Sequence, residues 1–256
     1  DAVYLAFGAW KEVGLNIPGE DAQGVFSGTG LLRQLSDNAI PDMGRRVAVV
    51  GAGNVAVDVA RSLWRYGKEV TIVYRRDKCA MPANHSEITE SEAEQIQFRF
   101  MSAPVAIETN EAGQVNGVTI ELMTCGGIDA SGRRKPVATG KFDRLNCDAV
   151  VIAIGEEVDN QPIQEIETGR SGRIEINAFT GQTNLPNVFA GGDAVTGPST
   201  AAEAMGMAKK ASAGIDEYLM GQHRFDQLFR KFIYRNTLPV DPVKTPRNIS
   251  SKLAVK

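Results

Sequence analysis

Residues 44–76, GRRVAVVGAGNVAVDVARSLWRYGKEVTIVYRR, constrain the fold more than any other stretch of the chain. VAVV (47–50) is a short valine-rich run. Gly51-Ala52-Gly53-Asn54-Val55-Ala56 follows at once as G-x-G-x-x-A. A helical pattern comes next, with Val57, Ala60, Leu63 and Trp64 on one face and Asp58, Arg61 and Arg65 on the other. Gly67 is placed to end that helix in a left-handed cap. VTIVY (70–74) then reads as a second buried strand. Strand, glycine turn, helix and strand in register make a βαβ unit that carries a dinucleotide fingerprint in its proper context. Gly51 permits the tight turn, Gly53 lets the backbone approach a pyrophosphate, and Ala56 keeps helix and strand close. Asn54 and Val55 lie in the first turn of the helix, whose free N–H groups and partial positive charge suit phosphate. The competing reading is a purely structural glycine turn.

The end of the second strand chooses the nucleotide. An NAD site places an Asp or Glu about 20 residues on, to bond the ribose 2′-hydroxyl. Here the position carries Tyr74-Arg75-Arg76. An acid repels a 2′-phosphate, whereas a guanidinium grips one through two parallel charged bonds. Arg75 and Arg76 therefore favour NADPH over NADH, against the alternative that they are solvated charges. Asp77 follows directly and would soften the preference.

Two octapeptides, DAVYLAFG at 1–8 and DAVVIAIG at 148–155, share an acid, an apolar run and a terminal Gly. The last strand of a doubly wound domain is buried on both faces and reads as a continuous apolar run. DAVVIAIG fits that role for the domain starting near Gly44, with Ile154 and Gly155 passing close to the ligand. DAVYLAFG then belongs to a second domain, whose own fingerprint is missing. The other G-x-G, Gly28-Thr29-Gly30, follows VFS and reads as a loop entering the helix of LLRQL. The chain is therefore expected to start partway through a domain. The rest of that domain returns late: VFAGG (188–192) reads as a strand ending at Asp193, and Thr200 and Glu203 form a capping box. Ala204, Met207, Ala208, Ala211 and Ile215 give the following helix its stripe, which reads as core. Gly221 closes that helix.

Together these stretches resemble a known family, the flavoprotein reductases related to the small subunit of NADPH-dependent glutamate synthase. The residues that carry the resemblance are DAVYLAFGA (1–9), IPGED (17–21), VAVVGAGNVAVDVAR (47–61), VYRR (73–76), MPA (81–83), DAVVIAIG (148–155) and NVFAGGDAVTGPST (187–200). The resemblance implies an α/β architecture: a three-layer, Rossmann-like NAD(P)H-binding domain nested within a partial FAD-binding domain. Residues 1–43 would hold the end of the first FAD-domain segment and a crossover from 11 onward. Residues 44–158 would be the NADPH-binding domain, 159–222 the second FAD segment, and 223–256 a tail. It further implies that Asp193 bonds the flavin ribitol, that the helix from Thr200 points at the flavin ring, and that Arg75 and Arg76 hold the 2′-phosphate. Ala6, Gly8, Gly192, Ser199, Ala201 and Ala202 complete the implied FAD contacts, with the FAD site incomplete.

The chain departs from the family after MPA, where an Arg and paired acids are common. Here Asn84, His85 and Ser86 precede Glu87. The acids Glu87, Glu90, Glu92 and Glu94 read as a solvated helix face, and His85 and His223 as loop surface. GGIDASGRRKPVATGKFDR (126–144) reads as a long basic hairpin loop, a partner surface or simply solvated. Cys79, Cys125 and Cys147 show neither metal nor redox spacing, which suggests a reducing, cytoplasmic setting. With no C-x-x-C pair, disulfide reduction by that route is excluded. No side-chain catalyst and no metal site is expected, because bound cofactors would carry the chemistry. A net charge of −3 gives no nucleic-acid footprint, and no apolar run reaches membrane-spanning length. The expected function is an NAD(P)H-dependent FAD oxidoreductase. It would take hydride from NADPH and pass electrons to an iron–sulfur redox domain or subunit, with clusters only in absent regions or partners. Alternatives are the electron-input module of a pyrimidine-reducing or other iron–sulfur flavoenzyme, and a non-catalytic nucleotide-binding or docking subunit.

Overall fold

A computed structural model describes residues 1–129, 132–159 and 163–221. The expected tail at 223–256, with His223, lies outside them. The chain begins with β1 (Val3–Leu5), β2 (Lys11–Glu12), β3 (Val25–Ser27), α1 (Gly28–Ser36), β4 (Arg46–Val50), α2 (Asn54–Arg65) and β5 (Glu69–Val73). It continues through α3 (His85–Ala93), β6 (Gln97–Arg99), β7 (Ser102–Thr109), β8 (Val115–Ile128), β9 (Arg134–Leu145) and β10 (Ala149–Ile152). It closes with β11 (Glu156–Glu157), β12 (Val188–Ala190), α4 (Asp193–Thr196) and α5 (Ala201–Met220). Two compact units result, one from 12–155 and one from 1–11 with the described residues of 156–221. The first is thus inserted between the two stretches of the second.

The 12–155 unit is built on a parallel sheet of order β3-β10-β4-β5-β6. Alternation along β4 divides its core between two faces. Val47 and Val49 join Leu31, Leu35, Val57, Ala60, Leu63 and Ile88 from the three helices. Ala48 and Val50 join Ile107, Val115, Val118 and Ile120 from the antiparallel sheet β7-β8-β9. The layers are therefore helix, parallel sheet and antiparallel sheet. A parallel sheet needs cover on both faces, and here the second cover is itself a sheet. Each fully buried aliphatic side chain in such a layer contributes about 1.5–3 kcal/mol. The ends of the unit are stitched together, since Val13 N–H donates to the Gly155 carbonyl at 3.1 Å.

The sequence readings differ from the structure at several places. Residues 11–43, expected as a crossover, contribute β3 and α1 to the 12–155 unit. VFS is a strand after all; it pairs on one side only, with β10, and stays half-buried, so its sequence lacks the signature of a central strand. The stretch 126–144 is mostly strand rather than loop, because β8 runs to Ile128 and β9 starts at Arg134. The acidic face of α3 is not simply solvated. Glu94, 4% exposed, accepts from Arg61 at 2.8 and 2.9 Å and from Arg65 at 2.9 Å, tying the end of α3 to α2. Hydrogen bonding to Arg61 holds the Glu94 carboxyl below the usual carboxylate range. His85 opens α3 rather than lying in a loop, though it is exposed.

In the other unit β1 pairs parallel with β12, Tyr4 opposite Phe189. Leu5, Phe7 and Val188 pack on Ile166, Ile174, Ala190 and Ala194. Helix α5 starts in the expected capping box, with Thr200 Oγ1 accepting from Glu203 N at 3.2 Å and Glu203 Oε2 accepting from Thr200 N at 3.3 Å. It ends on Gly221 in the left-handed conformation. Its buried line is Ala211, Ala213 and Gly214. Ala204, Met207 and Ile215 are half-buried, and Ala208 is exposed, so the stripe read as core is core only in part. Gly214 is required by close approach, because a Cβ there would lie 2.3 Å from the Thr180 carbonyl oxygen.

Candidate functional site

The first turn of interest follows β4. Strand β4 leads through α2 to β5, while β10 and β3 lie on its other side. The C-terminal ends of β4 and β10 thus form a switch point, where open α/β sheets bind ligands. Gly51 sits there at φ +134°, and a Cβ would lie 2.2 Å from the Ala153 carbonyl oxygen. Its amide donates to Val73 O at 3.1 Å, so the turn is fixed from both neighbouring strands. Ala56 is fully buried with its Cβ 3.5 Å from that same Gly51 position, which keeps helix and strand together. Gly53 differs. Nothing but Pro82 Cγ comes within 4.0 Å of its Cβ position, which leaves open room where a bound group would rest. As N-cap of α2 it offers no side-chain acceptor, and the first helical turn contains no acid. Asn54 is exposed and Val55 half-buried, and Ile154 and Gly155 follow Ala153 at the end of β10. The structure therefore brings Gly51, Gly53, Asn54, Val55, Ala56, Ile154 and Gly155 to one edge of the sheet.

The residues after β5 part company. Arg75 is exposed and has no ion-pair partner among the described residues. Arg76 is 8% exposed, with Nη2 2.7 Å from Asp129 Oδ2 and Nη1 2.6 Å from the Arg134 carbonyl. Asp77 is turned inward as a cap, with Oδ1 accepting from Ala80 N at 3.0 Å. Tyr74 is buried, and its hydroxyl donates to Ala80 O at 2.8 Å. That bond and the packing of Tyr74, Ala80, Ala52 and Met81 seat the MPA segment beside the fingerprint turn. Asn54 Oδ1 also accepts from Asn84 N at 3.0 Å. Sequence reasoning missed Tyr74, Asn84 and Asp129. Tyr74 shows only as a strand's last apolar residue, and Asp129 lies 53 residues from its partner.

In the other unit Gly192 takes φ +66° and ψ −153° before α4, a conformation open to glycine alone. Its neighbour Gly191 is also forced, since a Cβ would lie 2.2 Å from the Tyr4 hydroxyl. The half-buried Asp193 follows, and its carboxylate accepts no hydrogen bond from the described residues. Ser199, Thr200, Ala201 and Ala202 are exposed at the start of α5, and Ser199 Oγ bonds Glu203. Ala6 is exposed and Gly8 half-buried, at the end of β1. The amides of Ala201 and Ala202 remain for an external acceptor, while Thr200 takes that of Glu203.

Other features carry less. A cavity of about 360 Å³ opens at the opposite, N-terminal ends of β4 and β5, lined by Arg46, Trp64, Lys68, Glu69 and Cys147. It has no glycine turn and no helix N-terminus, so the C-terminal edge is the better ligand site. Burial pushes the Cys147 thiol up to about 12, which leaves it inert. Among the described residues no cluster of His, Cys, Asp or Glu could hold a metal ion, and no helix is long and apolar enough to cross a membrane.

A family model described as pyridine nucleotide-disulphide oxidoreductase matches residues 1–208. The beta subunit of NADP(+)-dependent formate dehydrogenase from Moorella thermoacetica is 40% identical over 225 residues, which cover 86% of this chain and 32% of that protein. The small chain of glutamate synthase [NADPH] from Escherichia coli is 35% identical over 240 residues, covering 86% of this chain and 50% of that one. The chain thus spans a third to a half of the length of these relatives. Among solved structures, FprA from Mycobacterium tuberculosis in complex with NADPH superposes with a TM-score of 0.72 at 21% identity, covering 92% of this chain and 69% of that one. At that identity the likeness speaks for the fold.

Proposed function

The chain belongs to the pyridine nucleotide-disulphide oxidoreductase family, and from that premise we propose that its 12–155 unit binds NADPH, its other unit binds FAD, and reducing equivalents pass from one to the other and on to an iron–sulfur partner. The observation that carries this reading is the contrast within the fingerprint turn. Gly51 is jammed against Ala153, whereas Gly53 opens onto free space at a helix start with no acceptor of its own. The amides of Gly53–Ala56 would hold the pyrophosphate. Arg75 would pair with the 2′-phosphate, and no acid stands free at the end of β5 to claim a ribose 2′-hydroxyl. In the other unit the Asp193 carboxylate, which accepts no hydrogen bond from the described residues, would accept from ribitol hydroxyls, and the first amides of α5 would favour negative charge beside them. NADPH supplies the hydride and FAD, when bound, lets a two-electron donor serve one-electron acceptors. The relatives named above are subunits of larger enzymes, which supports a redox partner, and the unpaired thiols support a cytoplasmic setting.

Calorimetric titration of the protein with NADPH and NADH tests the reading. NADPH should bind more tightly, and Arg75→Ala should weaken NADPH by roughly ten- to a hundredfold, the worth of one charged hydrogen bond, with little effect on NADH. Equal affinity of the parent protein for both nucleotides would overturn it. In parallel, Asp193→Ala should lower retention of added FAD, read from visible absorbance, while leaving NADPH binding intact. Loss of both together would remove Asp193 as a flavin ligand.

A further inference from the structure

The antiparallel sheet β7-β8-β9 is three strands wide only in part. Strand β7 pairs with β8 as far as Leu122, and Met123 N then donates to the Met101 carbonyl at 2.8 Å. Beyond that point β8 and β9 continue as a two-stranded arm, with Thr124 opposite Val137 and Ile128 opposite Arg134. A two-stranded ribbon is marginal by itself in water, and this one is latched near its outer end. Asp129, just past β8, places Oδ2 2.7 Å from Arg76 Nη2, and the carbonyl of Arg134, first residue of β9, accepts from Arg76 Nη1 at 2.6 Å. Arg76 is only 8% exposed, so the latch is a buried ion pair. Such pairs are weak sources of stability; what this one gives the arm is a fixed position.

The latched arm differs in charge from the chain that carries it. Arg134, Lys135 and Lys141 are exposed and have no ion-pair partner among the described residues. Asp129, the one acid between Leu122 and Phe142, is taken up by Arg76, in a chain of net charge −3. Ile128, Val137 and Phe142 stand exposed singly among these cations rather than as a stripe. Lys135 and Pro136 on the edge strand β9 discourage the addition of a further strand, which leaves the arm open to side-chain contact. Resting on the redox reading above, we propose that Ile128, Arg134, Lys135, Val137, Lys141 and Phe142 form the docking surface for an acidic face of the iron–sulfur partner. An acidic protein is repelled by the acidic remainder of the chain and attracted by the arm, so its encounter is steered to one place. Phe142 and Ile128 add the apolar contact that cations alone lack.

The probe is a small acidic [2Fe–2S] ferredoxin, whose binding to the 256-residue protein is measured by calorimetry at low and raised salt. The parent should bind it, and more weakly as salt rises. Lys135→Glu combined with Lys141→Glu should weaken binding roughly tenfold or more, and Phe142→Ala roughly fivefold. Arg33→Glu, at an exposed cation of α1, should change it by less than about twofold. Asp129→Ala separates a placed surface from bare charge. It makes the arm more basic, so charge alone tightens binding, whereas loss of the latch should weaken it. A parent that does not bind the ferredoxin overturns the proposal, as do arm variants no weaker than Arg33→Glu, or unchanged or tighter binding in Asp129→Ala. A random-sequence DNA duplex held as tightly as the ferredoxin also overturns it, since the arm would then be a general polyanion surface. Nucleotide selectivity is measured alongside. A protein that prefers NADPH but ignores the ferredoxin loses only the docking surface. One that docks the ferredoxin on the arm but does not distinguish NADPH from NADH loses the nucleotide reading instead.

Discussion

In DAVVIAIG, Val150 is fully buried because β10 lies between β3 and β4 and is covered on both faces. In DAVYLAFG the matching residue, Val3, is 48% exposed, because among the described residues β1 pairs with β12 and no other strand. The leading acids differ as well. Asp148 Oδ2 accepts from the amides of Arg45 at 3.0 Å and Arg46 at 2.8 Å, and the same carboxylate pairs with the Arg46 guanidinium. It thereby anchors the start of β4. The Asp1 side chain accepts no hydrogen bond among the described residues. Two copies of one local pattern thus play unequal parts. An apolar run specifies that a strand forms; the number of strands beside it decides how much stability it returns.

A buried charge is the strongest way to break that comparison. Val150→Asp should cost more than about 4 kcal/mol, since it places an unpaired carboxylate in a dry layer. Val3→Asp, made in the same 256-residue chain, should stay within about 1 kcal/mol. Urea midpoints at constant m-value measure both. Similar losses at the two sites would show that β1 is covered in solution as fully as β10.

A smaller effect sharpens the contrast between the acids. Hydrogen bonds from Arg46 hold the Asp148 carboxyl at about 2, below the ordinary value of about 3.9. A carboxyl lowered in the folded state stabilises it above the unfolded value, and that contribution is lost as pH falls through the folded value. Asp148→Asn should therefore cost about 1–2 kcal/mol at pH 7, allowing for the partial exposure of the pair. The gap between parent and variant should close as the pH drops from about 4 toward 2. Asp1→Asn should show no such pH-dependent gap. A gap that is flat from pH 7 to 2 would mean that Asp148 acts through shape rather than charge.

The parts legible in the sequence are those whose cause is local. The turn at Gly51–Ala56, the caps at Thr200 and Gly221, and the strands VAVV and AVVI each follow from residues within a few positions of one another. The parts that were not legible depend on distant partners. VFS is a strand because β10 lies beside it, 125 positions on. Glu94 is buried because Arg61 and Arg65 meet it from another helix. Arg76 looks like half of an arginine pair until Asp129 arrives from the β8–β9 arm. Residues 126–144 read as loop because the outer half of that arm is exposed and has no apolar face to show.

The bond from Val13 to Gly155 bears on the order of assembly. Residues 3 and 188 must meet to start the β1–β12 ladder, and about 185 residues of chain separate them. Once 12–155 has folded and its two ends are held together, the span left to close is roughly 45 residues, and closure becomes easier by about 1 kcal/mol in chain entropy. The inserted unit should thus act as a staple that gathers the two halves of its host. During refolding, pulsed hydrogen exchange should protect the amides of β4 and β5 before those of β1 and β12. Simultaneous protection of the two sets would mean that the host does not wait for its insert.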